Sequence, residues 1–100
     1  MGVDVYTVIA NYRAAPGRGE DVAVALKPHI RATRDEPGCV GFTVNRSIED
    51  PDVFALYEEY LDKAAFKSHV DSAHYQKYVI GEVRPLLRER SVSFYRTVEP

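Results

Sequence analysis

The sequence predicts an α+β domain with the ferredoxin-like element order βαββαβ, in which a four-stranded antiparallel sheet carries helices on one face. Four segments alternate in hydrophobicity as strands do, and two others repeat apolar residues at helical spacing. Turns rich in Pro, Gly or Asp separate these segments. The 100 residues suit one domain, covering positions 1–100.

The first strand is predicted over residues 3–13, where both alternating faces are largely apolar, as in a strand covered on both sides. The turn at 15–19 leads into a helix that begins at about Glu20. Pro28 removes one backbone donor, so we expect it to kink this helix or loosen its first half. The Glu-Pro-Gly segment at 36–38 is predicted to end the helix.

The middle of the chain predicts a β-hairpin. Residues 39–47 and 53–60 both alternate in hydrophobicity, and the turn-rich segment 49–52 joins them. The two strands are therefore expected to be antiparallel neighbours.

The last third predicts a broken helix followed by a strand. Asp62 is placed to cap a short helix at 63–70. Asp71 and Ser72 offer a second cap, so we expect the helix to break there and to restart. Pro85 is expected to mark or kink the end of the restarted helix, and the alternating segment 91–98 predicts the final strand.

The composition excludes several classes of protein. The net charge is −2, and the 13 basic and 15 acidic residues are scattered, so no basic stripe indicates a nucleic-acid partner. No apolar run is long enough to span a membrane, and the N-terminus lacks the charged and apolar regions of a signal peptide, which favours the cytoplasm. Cys39 is the only cysteine and is expected to be a small buried filler.

The sheet face without helices is expected to be apolar, and a second copy of the chain would cover it. A large exposed apolar patch is unusual on the surface of a monomer. The predicted patch contains Tyr6, Val8, Ala55, Tyr57, Tyr95 and Phe42 or its neighbours.

The candidate site lies where the third strand passes into the second helix. Glu58 and Tyr60 share a strand face because alternate residues point the same way, and the helix that follows would bring His69 towards them. A carboxylate, a phenol and an imidazole on an apolar wall can perform acid–base chemistry on an organic substrate.

The chain resembles the antibiotic biosynthesis monooxygenase (ABM) domain family over roughly residues 3 to 98. The pattern that carries the resemblance is Leu56-Tyr57-Glu58-x-Tyr60, Ala64-Ala65, His69, Ser72-x-His74-Tyr75 and, upstream, Arg34-x-Glu36-Pro37-Gly38-Cys39. The resemblance implies a dimeric α+β barrel and a homodimer. Haem-degrading relatives resemble the chain less, because they carry a tryptophan where Tyr60 stands and a haem-ligating histidine near Val79.

The resemblance implies that the protein is a monooxygenase that uses O2 without a cofactor. The sequence contains no recognisable flavin, nicotinamide or metal motif, so the substrate itself, a quinol-like or anthrone-like aromatic, would be the reductant. We assign His69 as base and Glu58 as its orienter. Asn11 and Tyr60 are assigned as donors to the substrate oxyanion, and Phe66 and Tyr75 as a dry aromatic wall.

Two other functions share this pocket. An isomerase acting on a small carbonyl compound needs the same His69 and Glu58 pair and no oxygen, and a non-catalytic domain could bind such a compound without turnover. Asn11 could equally hydrogen-bond a turn at the end of its strand. His29 is interpreted as a bystander beside the apolar stripe of its helix.

No metal site is expected. His69 and His74 are five positions apart, which places them about 140° apart around one continuous helix. An iron centre made of His69, His74 and Glu58 would require the helix to break at Ser72.

Overall fold

A computed structural model describes residues 4–99 as a four-stranded antiparallel sheet with helices packed on one face, which confirms the ferredoxin-like α+β prediction. The strand order is β2-β3-β1-β4. The elements in chain order are β1 (Tyr6–Ala14), α1 (Gly19–Arg34), β2 (Cys39–Arg46), β3 (Val53–Tyr60), α2 (Lys63–Asp71), the π-helical segment α3 (Tyr75–Val83), a 3₁₀ turn (Arg84–Leu86) and β4 (Leu87–Arg96).

The predicted hairpin, caps and helix break are confirmed. Strands β2 and β3 pair antiparallel, and the Asp62 carboxylate caps α2 by accepting from the Ala65 amide at 2.8 Å. Ser72 has extended backbone angles and accepts a hydrogen bond from the Tyr75 amide at 3.2 Å. Helix α2 therefore ends at this point and α3 follows in a new direction.

Helix α1 runs from Gly19 to Arg34 with Pro28 inside it and buried residues on both sides of the proline. One element prediction was wrong in detail. Strand β4 begins at Leu87 rather than at residue 91, since its pairing with β1 extends to Ala14 opposite Leu87. Of the predicted first strand, residue 3 lies outside the described residues.

The hydrophobic core lies between the sheet and the helices. In β1 and β3 the even-numbered residues face the helices, as the register pair Ala10 and Leu56 shows. The buried residues of this layer are Val8, Ala10, Tyr12, Ala14, Phe42, Phe54, Leu56, Val22, Leu26 and Val83. The prediction that Val8 belongs to the uncovered face was therefore wrong. Of the predicted Phe42 or its neighbours, Phe42 is buried beneath the helices, whereas Thr43 lies on the uncovered face opposite Tyr57.

The opposite face of the sheet carries no helix of the described chain. Tyr57 and Tyr95 lie on it, with 42% and 51% of their surfaces exposed, together with the small or polar side chains of Ala55, Thr43, Asn45, Ser91 and Ser93. Tyr6 instead has the even parity of the helix-covered face. No helix within residues 4–99 is long and apolar enough to cross a membrane.

The turn after α1 packs unusually close to α2. An added Cβ at Gly38 would lie 2.5 Å from the Cβ of Ala65, nearer than real side chains approach. The amide of Leu61 also donates to the Gly38 carbonyl oxygen at 2.9 Å. Glycine at position 38 thus sets the distance between α2 and the turn that contains Glu36.

We expect Gly38→Ala to destabilise the fold by about 1–3 kcal/mol, the usual cost of forcing extra atoms into a packed contact. The matched control is Gly81→Ala, because the nearest atom to an added Cβ there is the Gln76 carbonyl oxygen at an ordinary 3.5 Å. Urea unfolding of both variants and the parent chain measures the difference. Equal stability of the two variants would show that the close contact is not required.

Candidate active site

The site is centred on His69, which α2 holds against the inner face of the sheet with 2% of its surface exposed. Only Leu61 and Asp62 separate β3 from α2, so the chain folds back directly over the end of the strand. The ring centroids of His69 and Tyr60 lie 5.3 Å apart. The predicted meeting of His69 with Glu58 and Tyr60 is thus present in the structure.

The hydrogen-bond partner of His69 is Glu36, not Glu58. His69 Nδ1 lies 2.8 Å from Glu36 Oε2, whereas His69 Nε2 lies 3.9 Å from Glu58 Oε1, too far for a hydrogen bond. The orienting role assigned to Glu58 therefore belongs to Glu36 by geometry. Glu36 lies in the turn that follows α1, a segment that was predicted to end the helix and that also belongs to the family pattern, but with no predicted contact to His69.

His74 shares the same carboxylate oxygen. Its Nε2 atom lies 2.5 Å from Glu36 Oε2, and its side chain is 20% exposed. On one continuous helix His74 would point away from His69, but the break at Ser72 returns it to the same side. The expected separation of the two histidines is therefore wrong, because the restarted segment has a new direction.

The proton positions on the two imidazoles follow from their shared partner. An ionised carboxylate only accepts hydrogen bonds, so His69 Nδ1 and His74 Nε2 both donate to Glu36. Burial lowers the pKa of His69 below its usual range, and the hydrogen bond to Glu36 opposes that change. A neutral His69 protonated on Nδ1 has an unprotonated Nε2, which can accept a proton.

Glu58 forms a second buried pair with Tyr60. The Tyr60 hydroxyl donates to Glu58 Oε1 at 2.6 Å, and Glu58 is 5% exposed. Burial raises the pKa of Glu58 to about 7, and the hydrogen bond from Tyr60 partly offsets this. Burial, with the Glu58 charge beside it, also raises the pKa of the Tyr60 phenol. Glu58 is thus a carboxyl group that changes protonation near neutral pH.

A small cavity of about 20 Å³ lies beside His69, between the sheet and the helices. Phe66 and Tyr75, the predicted aromatic wall, both line it, and so do Glu58, Tyr12 and Arg90. An open apolar groove of about 660 Å³ adjoins it, lined by Tyr6, Phe66, Phe94, Ala64 and Val70, with two lysines at its rim. Phe66 belongs to both spaces and separates them.

Arg90 brings a cation to the cavity that the sequence analysis missed. It lies on β4, one residue before the predicted start of that strand, and faces the helices opposite Tyr12. The Tyr75 hydroxyl accepts from Arg84 Nη2 at 3.2 Å and from Arg90 Nη2 at 3.5 Å. If the predicted strand had begun one residue earlier, at Arg90, the alternation of side chains would have placed Arg90 on the same sheet face as Val92.

Asn11 does not join this cluster. It is exposed and pairs with Ala55 on the sheet face opposite His69. The catalytic placement given to Asn11 therefore disagrees with the structure, because β1 has the opposite parity from the one that this placement required. Asn11 lines a different depression, formed with Arg13 and Ser91 at the edge of the sheet.

His29 is part of the cluster, contrary to its interpretation as a bystander. It is 1% exposed, and its ring centroid lies 5.2 Å from that of His69 and 5.4 Å from that of His74. Burial, with His69 and His74 nearby, lowers the pKa of His29 to about 3, so it is neutral. The signal was present in the sequence, since the buried positions of α1 are 19, 22, 26, 29 and 33, a regular helical stripe.

These features define a class of protein: a ferredoxin-like α+β domain with a buried histidine–carboxylate site between its sheet and its helices. Within that class, the chain belongs to the antibiotic biosynthesis monooxygenase family, whose model matches residues 5–80. The predicted resemblance to this family is confirmed.

Solved structures share the fold over nearly the whole chain. A candidate antibiotic biosynthesis monooxygenase from Nitrosomonas europaea is 25% identical, with a TM-score of 0.90 and coverage of 100% of this chain and 96% of that one. A Mycobacterium tuberculosis protein, Rv0793, is 27% identical, with a TM-score of 0.86 and coverage of 96% and 97%. PA3566 from Pseudomonas aeruginosa is 25% identical, with a TM-score of 0.88 and 95% coverage of both chains.

A curated relative is an uncharacterized protein of Synechocystis. It is 21% identical over 96 residues, which are 96% of this chain and 65% of that protein. The chain thus spans about two thirds of the length of this relative.

Proposed function

We propose that this chain is a cofactor-independent monooxygenase that oxidises a hydroxylated aromatic small molecule, of the quinol or anthrone type, with O2. The observation that supports this most directly is His69 itself. The His69 side chain is almost fully buried, and its Nδ1 atom is hydrogen-bonded to Glu36. The unprotonated Nε2 atom of His69 is therefore available at a cavity that aromatic side chains line. Such a nitrogen can remove a proton from a phenol or an acidic C–H group.

The reaction begins with proton transfer from the substrate to His69 Nε2. The resulting anion transfers one electron to O2, and the substrate radical combines with superoxide to give a peroxide at the reacting carbon. For an anthrone, that carbon then loses its second hydrogen as the O–O bond breaks, which yields a quinone carbonyl and one molecule of water. His69 returns its proton to the peroxide before the O–O bond breaks. The CH2 carbon of the substrate loses four electrons and O2 gains four, with one oxygen atom in the carbonyl and the other in water, so no added reductant is needed.

The charge that develops on the substrate oxygen needs a donor near the cavity. Tyr60 was assigned this role, but its hydroxyl proton is directed to Glu58. Arg90 is better placed, because its guanidinium lines the cavity beside Tyr12 and Tyr75. Arg90 is an exposed residue whose guanidinium reaches the cavity wall, and a cation at that position stabilises a developing oxyanion. We therefore assign this role to Arg90, with imidazolium His69 as the second positive charge.

Access to His69 is proposed to require movement of Phe66. The cavity of about 20 Å³ holds no more than a water-sized molecule, whereas the neighbouring groove of about 660 Å³ has room for aromatic rings. Phe66 separates the two, and its ring centroid lies 6.2 Å from that of His69. Rotation of Phe66 would join the groove to the cavity and bring a bound ring next to Nε2.

A homodimer is proposed for the assembled protein. The half-exposed Tyr57 and Tyr95 on the uncovered sheet face support this, since a second copy could bury both rings. The site itself is formed within one chain, because every residue of the Glu36, His69 and His74 cluster comes from the same subunit.

Isomerisation of a small carbonyl compound is the second candidate. The observation that favours it is the 3.9 Å separation of His69 Nε2 and Glu58 Oε1. These two groups could take a proton from one carbon and return one to its neighbour, as an isomerase requires. In the third alternative, a binding domain without turnover, the cavity would still bind the compound, but neither His69 nor Glu58 would transfer a proton.

Oxygen uptake by the chelator-treated protein, measured with a panel of quinols and anthrones, tests the proposal. We expect consumption of one O2 for each quinone formed, with no flavin or metal added. Compounds that bind without O2 uptake would contradict the oxygenase. Exchange of deuterium from solvent into a bound carbonyl compound under the same conditions would then indicate the isomerase.

A further inference from the structure

Glu36, His69 and His74 bring one oxygen and two nitrogen atoms together within 4.8 Å of one another. We propose that these three side chains form a binding site for a divalent transition-metal ion of the Zn²⁺ type, and that the bound ion switches off His69 as a base. The ion would occupy the centre of the cluster, where the two imidazole protons now point at the carboxylate.

The donor set matches this kind of ion. Two imidazole nitrogens and one carboxylate oxygen are ligands that Zn²⁺, Co²⁺, Ni²⁺ and Fe²⁺ share, whereas Mg²⁺ and Ca²⁺ prefer oxygen alone. Bonds of about 2.0–2.2 Å to a tetrahedral Zn²⁺ place ligand atoms roughly 3.3 Å apart. The present contacts of Glu36 Oε2 with His69 and His74, 2.8 and 2.5 Å, are hydrogen-bond distances. Small side-chain rotations would therefore open the cluster enough for an ion.

The surroundings of the cluster provide an independent argument. A histidine that binds a metal through one nitrogen usually has a carboxylate near the other nitrogen, which accepts its N–H. The carboxylate nearest the second nitrogen of His69 is Glu58, whose Oε1 lies 3.9 Å from Nε2 and would have to move closer to accept that N–H. The side chains of Glu36 and His74 are 14% and 20% exposed, so an ion could reach the cluster from solvent.

The chemical consequence concerns the tautomer of His69. Coordination through Nδ1 requires a lone pair on that atom, so the ring proton must move to Nε2. Nε2 then becomes a donor and can no longer accept a proton from a substrate. The metal-bound chain would therefore lack the base that the apoprotein possesses.

The test is calorimetric titration of the chelator-treated full chain with Zn²⁺. We expect saturable binding of one ion per chain, weakened at least about 100-fold by either His74→Gln or Glu36→Gln, since loss of a direct ligand should exceed the 10- to 100-fold effect of outer-shell changes. Glu59→Gln is the matched control. It makes the same chemical change on the opposite sheet face and should bind Zn²⁺ as the parent chain does.

Nitrogen NMR of the histidine rings provides a readout on the unaltered protein, so the test does not depend on any variant folding. Zn²⁺ should shift His69 Nδ1 and His74 Nε2 and leave the His29 ring nitrogens nearly unchanged. Co²⁺ should produce visible d–d absorption that Zn²⁺ displaces. Absence of saturable binding, affinity in both ligand variants equal to that of the parent chain, or spectral changes confined to His29 would each overturn the proposal.

Inhibition is measured separately, because it alone rests on the proposed function. Zn²⁺ should suppress substrate-dependent O2 uptake, and a chelator should restore it. Full turnover by the metal-saturated protein would overturn the switch. Metal binding to a chain that shows no O2 uptake under any condition would instead leave the metal site standing and refute the oxygenase.

Discussion

Replacing His69 with alanine is expected to lower kcat for O2-dependent oxidation by about 100- to 10,000-fold, the range that a positioned general base contributes. The reason is that Nε2 of this imidazole is the unprotonated nitrogen at the cavity, held by the bond between Nδ1 and Glu36. Single-turnover measurements with an anthrone that still binds would report the chemical step directly.

The control must separate a lost base from a damaged fold. His69 is almost fully buried, so its removal also leaves a void. Added imidazole can fill that void and restore the base, whereas it cannot repair a misfolded chain. Circular dichroism and the oligomeric state of the variant should match those of the parent chain. Turnover that is unchanged without imidazole would eliminate the proposed mechanism.

The fold was predictable because each element has a local signal. In β3 the larger apolar residues Phe54 and Leu56 share one parity, which is the buried one, and Asp62 caps α2 as its position predicts. The order of the elements then leaves the ferredoxin-like sheet as the natural arrangement.

The parity of β1 could not be fixed in the same way. Both of its faces are largely apolar, so its own sequence does not say which one meets the helices. Only the pairing of Ala10 with Leu56 decides this, and that is a tertiary contact. The misplacement of Asn11 and that of Val8 are consequences of this one ambiguity.

The carboxylate partner of His69 was missed for a different reason. Glu36 and His69 are 33 positions apart, and Glu36 belongs to a turn whose glycine and proline already explain its local structure. A resemblance pattern can contain such a residue without showing what it contacts. The close contact at Gly38 is the physical link, because it brings α2 near enough for His69 to reach Glu36.

Glu58→Gln is expected to make the protein more stable than the parent chain above neutral pH, although Glu58 lies in the candidate site. Burial raises the pKa of Glu58 from an ordinary value of 4.5 to about 7. A carboxyl group with a raised pKa binds its proton more tightly in the folded chain than in the unfolded chain. The stabilisation of the folded chain by this tighter proton binding is therefore complete below pH 4.5 and is lost as the pH rises to 7.

The size of the effect follows from the same pKa. Each pKa unit corresponds to about 1.4 kcal/mol, so ionisation of Glu58 costs the folded state roughly 3 kcal/mol above pH 7. Glutamine has no such cost, and its amide oxygen can still accept the hydrogen bond that Tyr60 donates to Glu58. The variant should thus keep the buried contact and lose the pH dependence.

Urea unfolding of both proteins at pH 5 and pH 8 measures this. The difference in free energy of unfolding between Glu58→Gln and the parent chain should increase by about 2.5 kcal/mol in favour of the variant from pH 5 to pH 8, because part of the effect is already present at pH 5. Titrating groups that do not interact with Glu58 are common to both proteins and cancel in that difference. A difference that stays constant would mean that Glu58 ionises normally in the folded chain. Glu58 would then be ionised at neutral pH and could act only as a base, and the isomerase alternative would lose the carboxylic acid that returns a proton to the substrate.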